Sequence, residues 1–378
     1  MGKKQENKTN KKIDIGSILF IVIMIAAGMA CGLMVGEYIG KAAADGKGFW
    51  VTMAWLVIGI YAALFLQIII HEAGHLVFGL LSGYQFSSFR IGSFMMIKTD
   101  GKWRFCKFSL PGTAGQCLMS PPDLVDGKMP VVLYNLGGCI MNMIAAGIFA
   151  VIAYFAQGND VIFIFSVCMV AIGLATAVTN GIPLMVGPIR NDGSNALSLG
   201  KNPVAMQAFW LQLKMSELQT KGVRLKDMPA EWFIVPADED LNNGLVAASA
   251  VFYANWLMDQ MRLEEALEYI EALLAKETAV LGVYQSLLTC DRIYCELVVK
   301  KNTSEAIYLH NKEYEKFAKQ MKNFPSILRT EYVYALFAEK DEQKACECLK
   351  RFNKIAKNYP YPIDIRSERE LMDVAKLQ

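Results

Sequence analysis

The chain has 378 residues, of which 54% are hydrophobic, and its mean hydropathy is positive. A soluble domain of this size normally contains less apolar material, so we expect a membrane protein. The formal net charge is only +2 and no basic tract is interleaved with aromatic residues, which excludes nucleic acid as a partner. The nine cysteines form no CxxC pair, so neither a zinc knuckle nor a disulfide scaffold is predicted.

Four apolar runs are long enough to cross a bilayer, which takes about 20 helical residues. They cover residues 15–39, 49–81, 130–156 and 161–186. The first run has a signal peptide as its alternative, with Ala42-x-Ala44 as the cleavage site, but its apolar core is longer than that of most signal peptides. We therefore predict a polytopic protein with four transmembrane helices.

Basic residues set the expected orientation of these helices. Five lysines precede the first run, and the loop at 84–128 carries six lysines and arginines against three aspartates. Short loops that are rich in lysine and arginine stay in the cytosol, whereas the connection at 157–160 has neither residue. Both termini, and everything after about residue 190, are therefore predicted to be cytosolic.

The second run contains the stretch LQIIIHEAGHLVFGLL, which holds two of the three histidines of the chain. On a helix, His71 and His75 lie one turn apart with about 5–6 Å between their Cβ atoms, close enough to bind one Zn²⁺ ion. Glu72 then lies beside the metal, where it can take a proton from a water molecule that the ion activates. Ionisable groups at membrane depth cost about 2.5–3.5 kcal/mol each, so three within five residues favour a metal site over an accidental match.

A third ligand is needed, because catalytic zinc usually has three from the protein. His310 lies in a charged helical segment and is expected at the surface. Asp192 is the better candidate, since it follows the fourth run in TNGIPLMVGPIRNDGSNA and emerges at the same membrane face as the two histidines. Pro183 and the VGP tripeptide at 186–188 are expected to break the helix just before it.

These residues resemble the site-2 protease family, zinc enzymes that cleave peptide bonds within or next to the membrane. The resemblance covers about residues 50–195 and comprises an HExxH motif, a GxxxN element and an Asn-x-x-Pro segment followed by Asp-Gly. The matching residues are His71, Glu72 and His75, then Gly138 and Asn142, then Asn180, Pro183, Asp192 and Gly193.

The resemblance implies an intramembrane zinc endopeptidase in which Glu72 is the general base and Asp192 is a metal ligand. It also implies that Asn142 and Asn180 contact the substrate or an oxyanion, whereas taken alone each is more often a polar residue that packs helices in a membrane bundle. The resemblance favours a bacterial plasma membrane as the location. Pro183 and Asp192 are nine residues apart, more than in the commonest pattern of the family.

The loop between the second and third runs, FRIGSFMMIKTDGKWRFCKFSLPGTAGQCLM, is similar to a short β-rich loop of the family. Its β-branched and aromatic residues on both sides of Asp100-Gly101 predict a β-hairpin. An edge strand of such a loop can hold an unfolded substrate segment by adding it to the sheet.

Residues 196–378 change to a charged, amphipathic helical pattern, which predicts an all-α cytosolic domain after a membrane domain at 1–195. Ala266, Ala306 and Ala345 recur at spacings of 40 and 39 residues, which favours helical hairpins of the tetratricopeptide (TPR) kind with a groove for a protein partner. A compact helical bundle that only covers the membrane domain is the alternative.

Together, these features predict a mainly α-helical, membrane-embedded protease that cuts membrane-spanning or membrane-bound peptides near the cytosolic face. One alternative is a catalytically silent membrane scaffold that recruits partners through its helical half. A second is a metal transporter, but the chain lacks the inverted repeat of spans that is typical of transporters.

Overall fold

The computed structural model describes residues 15–44, 48–99, 102–110, 113–186 and 189–377. Within these residues, the chain is mainly helical and also contains two small antiparallel sheets. The first elements are α1 (Ile15–Ala44), α2 (Phe49–Leu81), β1 (Gln85–Ile91), β2 (Phe94–Thr99), β3 (Lys102–Lys107), β4 (Gly115–Ser120), α3 (Val132–Phe155), α4 (Asp160–Gly181), β5 (Met185–Val186), β6 (Ile189–Arg190) and α5 (Asp192–Ser198). The later helices are α6 (Pro203–Thr220), α7 (Gly244–Asp259), α8 (Leu263–Leu274), α9 (Gly282–Val298), α10 (Thr303–Leu309), α11 (Lys312–Gln320), α12 (Pro325–Tyr334), α13 (Glu342–Ala356) and α14 (Pro362–Lys376).

Three of the described helices, α2, α3 and α4, have the length and composition needed to cross a membrane, which confirms three of the predicted spans. Helix α1 contains a shorter apolar stretch, Ile21–Glu37, so a fourth span stays a prediction. The predicted span at 161–186 extends beyond the C-terminal end of the observed helix. Helix α4 stops at Gly181, because Ile182 has an extended backbone and the ring of Pro183 cannot continue a helix.

The chain forms two compact units. Unit 1 comprises Met1–Gln67 and Asn142–Ser194, and unit 2 comprises Ile68–Met141 and Asn195–Gln378. The boundary falls inside α2 and inside α3, so each of these helices contributes to both units. The division into a membrane domain and a separate cytosolic domain stays a prediction.

A chain of buried amide groups joins the helices of unit 1. The side-chain nitrogen of Asn142 on α3 donates to the backbone oxygen and to Oε1 of Gln67 on α2, over 3.0 and 2.6 Å. The Gln67 Nε2 group donates in turn to the carbonyl of Met169 on α4, over 2.8 Å. Gly173 leaves room for this amide, since a Cβ there would lie 2.5 Å from Gln67 Nε2. Amides buried between apolar helices need such partners, so this relay fixes how α2, α3 and α4 pack.

Unit 2 begins with the end of α2 and a four-stranded sheet in the order β3-β2-β1-β4, in which all neighbouring strands are antiparallel. The pairing of β2 with β3 confirms the predicted hairpin, although its Asp100-Gly101 turn lies outside the described residues. Helix α6 packs on the sheet through a core that includes Cys117 and Met119 of β4 and Phe209 of α6.

The helices from α7 onward confirm the predicted helical pattern of the second half, and most of their apolar residues share one core. Ala266, Ala306 and Ala345 are all buried, and each is the fourth residue of its helix, on α8, α10 and α13. All three belong to the shared core of these helices. The repeated alanines therefore mark packing positions, whereas a TPR-like arrangement stays a prediction.

Candidate metal centre and active site

The two histidines of the HExxH motif lie as a shared metal ion would require. Their Nε2 atoms are 3.2 Å apart. Two nitrogens that bind one Zn²⁺ ion tetrahedrally at about 2.0–2.1 Å would be about 3.3 Å apart. The Nδ1 atom of His75 lies 2.8 Å from the carbonyl oxygen of Tyr134, which can only accept a hydrogen bond. This bond places the proton of His75 on Nδ1 and leaves the lone pair of Nε2 for a metal.

Asp192, the predicted third ligand, belongs to the same group of candidate ligands. One ligand atom from each of His71, His75 and Asp192 lies within 4.8 Å of the other two. Two imidazoles and one carboxylate are the donor set of a catalytic zinc site that keeps a position for water. The residues present therefore fit the predicted metal.

Hydrogen bonds of Asn191 organise the connection between α4 and Asp192. Between Pro183 and Asp192 the chain forms the hairpin of β5 and β6, whose turn at 187–188 lies outside the described residues. The amide nitrogen of Asn191 donates to the carbonyls of Thr179 and Ile182, over 2.7 and 2.6 Å. A hairpin thus takes up the extra residues, and Asn191 ties its end back to α4.

The same side chain starts the helix that carries Asp192. Oδ1 of Asn191 accepts hydrogen bonds from the backbone nitrogens of Leu184 and Ser194, over 3.0 and 2.9 Å. The second bond is an N-cap of α5, whose first residue is Asp192. Gly193 is required next to it, because a Cβ there would lie 2.0 Å from the carbonyl oxygen of Gly181. Asn191 and Gly193 therefore position the carboxylate.

Glu72 is buried beside the histidines and faces the sheet. The backbone of Gly115, at the start of β4, lies against its carboxylate, since a Cβ on Gly115 would be 2.6 Å from Oε1. Arg90 of β1 is also buried and donates to Thr113 Oγ1 and to the carbonyl of Gly92, over 2.6 and 2.7 Å. Burial lowers the pKa of the Arg90 guanidinium, and the negative charge of Glu72 opposes that effect. From the sequence, Arg90 was identified only as one of the positive charges of a predicted cytosolic loop.

Glycines allow the part of α2 that carries the HExxH motif to approach α3 closely. A Cβ on Gly138 would lie 2.5–2.7 Å from three atoms of the His71 ring. One turn along, Gly74 and Gly137 meet backbone to backbone, since a Cβ on Gly74 would lie 2.2 Å from the carbonyl oxygen of Gly137. Gly138, which the family resemblance singled out, therefore serves as a flat surface against the imidazole.

The other predicted residues lie as follows. Asn142 is fully buried in the relay with Gln67, and Asn180 is half-buried and donates to the carbonyl of Thr176 over 3.0 Å. Substrate contacts for both stay predictions. His310 was wrongly expected at the surface: its side chain is 8% exposed, pairs with Glu331 over 2.9 Å and takes no part in the metal-binding group.

Sequence reasoning missed Tyr134 and Asn191. Nothing in the sequence indicated Tyr134, because its bond to His75 comes from a backbone carbonyl. Its hydroxyl also donates to the carbonyl of Cys117 over 3.1 Å, which ties α3 to β4. Asn191 did leave a signal, since an asparagine before a short helix is a preferred N-cap.

A histidine pair with an adjacent buried glutamate on a helix able to cross a membrane, together with a downstream aspartate, defines the class of membrane metallopeptidases. The family comparison gives the same result. The model of peptidase family M50 matches residues 59–348, so the chain belongs to this family, the site-2 proteases. The predicted resemblance is thereby confirmed.

No curated protein matches the chain, and no solved structure does so either.

Proposed function

We propose that this membrane protein is an intramembrane zinc endopeptidase that hydrolyses peptide bonds of membrane-spanning or membrane-associated peptides near the cytosolic face. One observation carries the proposal. The Nε2 atoms of His71 and His75 are 3.2 Å apart, and a carboxylate oxygen of Asp192 belongs to the same group of ligand atoms. Catalytic zinc sites are built from this set of donors.

His71, His75 and Asp192 would hold the metal. A bound Zn²⁺ ion lowers the pKa of water toward neutrality and polarises the peptide carbonyl. The protein contributes the orientation of its ligands. The Tyr134 carbonyl fixes the tautomer of His75, and Gly138 supports the ring of His71.

Glu72 is proposed as the general base and later as the proton donor. It follows His71 directly, and its carboxylate lies against the backbone of Gly115. From there it can accept a proton from the attacking water and return it to the leaving amine nitrogen. The buried Arg90 of β1 interacts electrostatically with Glu72.

The substrate is proposed to bind as an extended strand next to Glu72. Peptide bonds inside a helix are shielded, so a membrane-spanning substrate has to unwind first. Among the described strands, β4 pairs only with β1, and its first residue, Gly115, touches the Glu72 carboxylate. A strand added beside Gly115 would bring its peptide bonds to the base. Asn142 and Asn180 remain part of the proposal as substrate contacts.

The proposed setting is a bacterial plasma membrane with both termini in the cytosol. This orientation follows from the lysine-rich N-terminal segment and the basic loop that contains β1 to β4. The helices from α7 onward would then face the cytosol, where a protein partner can reach them.

The proposal is tested by changing Glu72 to Gln in the full chain and measuring two quantities. Bound zinc, measured by mass spectrometry of the purified protein, is expected to be unchanged, because the metal ligands are intact. Cleavage of co-expressed single-span reporter proteins is expected to fall at least a thousandfold. Substrates trapped by the same variant can then be identified by mass spectrometry.

Two further variants make this test specific. Changing the exposed Glu231 to Gln removes the same charge away from the site and is expected to leave cleavage unchanged. Changing His75 to Ala is expected to remove both zinc and cleavage. Retained proteolysis in the Glu72→Gln protein, or full zinc binding without His75, would refute the assigned roles.

A further inference from the structure

We propose that a basic groove of unit 2 binds an acidic segment of the substrate, a few residues away from the bond that is cut. This inference rests on the proposed function and adds a substrate class to it. The groove has a volume of about 1080 Å³ and runs between the β2–β3 end of the sheet and helices α11 to α13. Neither the motif at His71 nor the family resemblance points to it.

The groove carries a strong excess of positive charge. Five basic residues line it, against one acidic residue, Glu347; the basic residues are Lys107, Lys322, Lys350, Arg351 and Lys354. All five are at least partly exposed. Arg351 donates to the neutral Asn323, and within the described part of the chain none of the five forms an ion pair.

Elsewhere in the helical half, cations are commonly neutralised. Lys276, Lys344 and Lys376 pair with acidic side chains over 2.6, 2.6 and 2.8 Å. Like charges that gather without partners raise the free energy of the isolated protein and attract an anionic ligand. The groove is therefore complementary to carboxylates that come from outside the described chain.

The walls of the groove suit a peptide. Phe108, which follows β3, packs against Phe324 and Tyr359 with ring centroids 5.9 and 5.8 Å apart. These aromatic rings join the sheet to the helices and give the groove an apolar side. A site with an apolar wall and a charged rim binds both the side chains and the carboxylates of a peptide.

The groove lies at the same end of the sheet as Glu72. The strand register places Gly115, Ile91, Phe94 and Lys107 side by side across the four strands. Three strand spacings of about 4.8 Å put Lys107 about 14 Å from Gly115, which touches Glu72. A substrate chain that leaves the β4 edge and crosses the end of the sheet in an extended form covers that distance in about four residues. Acidic residues about four to eight positions from the scissile bond would therefore reach the groove.

The decisive experiment measures peptide binding to the full-length Glu72→Gln protein in neutral detergent, by fluorescence anisotropy. The probe is a 12-residue peptide that contains six glutamates, and its counterpart carries glutamine at those positions. The acidic peptide is expected to bind more tightly than its counterpart, with an affinity that falls as salt is added. Equal binding of the two peptides would overturn the proposal.

A matched pair of charge reversals locates the site. Lys350→Glu with Lys354→Glu changes two groove lysines four residues apart on α13, and is expected to weaken binding of the acidic peptide on the order of tenfold. Lys312→Glu with Lys316→Glu makes the same change on α11, at exposed positions that do not line the groove, and is expected to have less than about a twofold effect. Equal losses in both variants would show non-specific attraction and would overturn the proposal.

Two additional outcomes remain distinguishable. If the groove variant binds the acidic peptide normally but loses adhesion to nanodiscs that contain phosphatidylserine, the groove binds anionic lipid and the peptide assignment is wrong. In the active protein, the groove variant is expected to raise KM for acidic reporters while kcat is kept. If no reporter is cleaved at all, the proposed proteolysis fails, while the binding measurement still decides the role of the groove.

Discussion

The metal centre and the helical half of this protein bury charged groups in different ways. At the metal centre, three ionisable residues lie within five positions of α2, and their supports are backbone groups and glycines. In the helical half, two buried arginines each bridge acids that are distant in sequence. Arg224 contacts Asp259 and Glu370, and Arg329 contacts Asp291 and Glu368, all over 2.6–3.2 Å.

The two arrangements of charge have different consequences, one for catalysis and the other for the stability of the fold. Under the proposed function, a metal ion would compensate the charges of the HExxH group, so their arrangement would serve catalysis. The charges of the helical half already compensate one another, so their arrangement holds helices α7, α9, α12 and α14 in one packing. Substitutions in the first region should change activity, and those in the second should change folding.

The largest expected effect is on folding, from changing Arg329 to Ala. Its guanidinium is 1% exposed and lies 4.5 Å from the ring of Tyr294, so the change leaves Asp291 and Glu368 without their cation. Breaking a buried ion pair on one side costs about 3–5 kcal/mol. Urea unfolding of the purified full chain, followed by tryptophan fluorescence, measures the loss.

Arg369 provides the matched control. It donates to Asn353 at an exposed position and lies 5.3 Å from the ring of Phe352, so changing it to Ala is expected to cost about 1 kcal/mol or less. Similar costs for the two arginines would mean that the buried network does not determine the stability of the helical half.

The next effect is on catalysis, from changing Gly138 to Ala. The new methyl group would lie 2.5 Å from the His71 ring, so the imidazole has to move away from the metal position. Misplacing a catalytic group by about 1 Å costs about a hundredfold in rate. Zinc content and reporter cleavage should both fall, whereas the unfolding transition of the helical half should stay unchanged. Gly147 of α3, with open space around it, is the control, and its change to Ala should leave cleavage intact.

A smaller catalytic effect is expected from changing Asn191 to Ala. Its four hydrogen bonds orient Asp192, and losing such a support typically costs about 10–100-fold in metal affinity. A zinc-competition titration with a chelating dye measures this affinity. Asn202→Ala is the control, because Asn202 caps α6 in the same chemical way but holds no metal ligand. Both variants lose about 1 kcal/mol of helix capping, and only the first should lose zinc.

The part of the site that could be predicted is the part built from local sequence. HExxH needs only the helical repeat of α2 to bring His71 and His75 together. Asp192 was predictable because a broken helix and a shared membrane face limit where its side chain can lie. Tyr134 was not, since any residue there would provide the same carbonyl. The burial of Arg90 could not be predicted either, because the sequence does not distinguish an exposed arginine of a loop from a buried one.

In the helical half, the helices were predictable from their periodicity but the ion pairs between them were not. Arg224 and Glu370 are 146 residues apart, and no local pattern connects such positions. The same holds for His310, whose partner Glu331 lies 21 residues away. These pairs form only when the tertiary structure brings distant residues together, so they could not be predicted from local sequence.

The last prediction concerns a carboxyl group of the helical half whose pKa is raised by burial. Burial raises the pKa of Asp364 to about 7, and the negative charges of Glu368 and Asp259 add to the shift. The unfolded chain releases this proton near pH 4 and the folded chain keeps it to about pH 7, so stability should fall as the pH rises between the two. Changing Asp364 to Asn should therefore stabilise the full chain more at pH 8 than at pH 5, since the amide stays neutral at both values. Urea unfolding at both pH values checks this, with the exposed Asp373→Asn as the control; equal stabilisation at both values would show that the proton of Asp364 is not linked to folding.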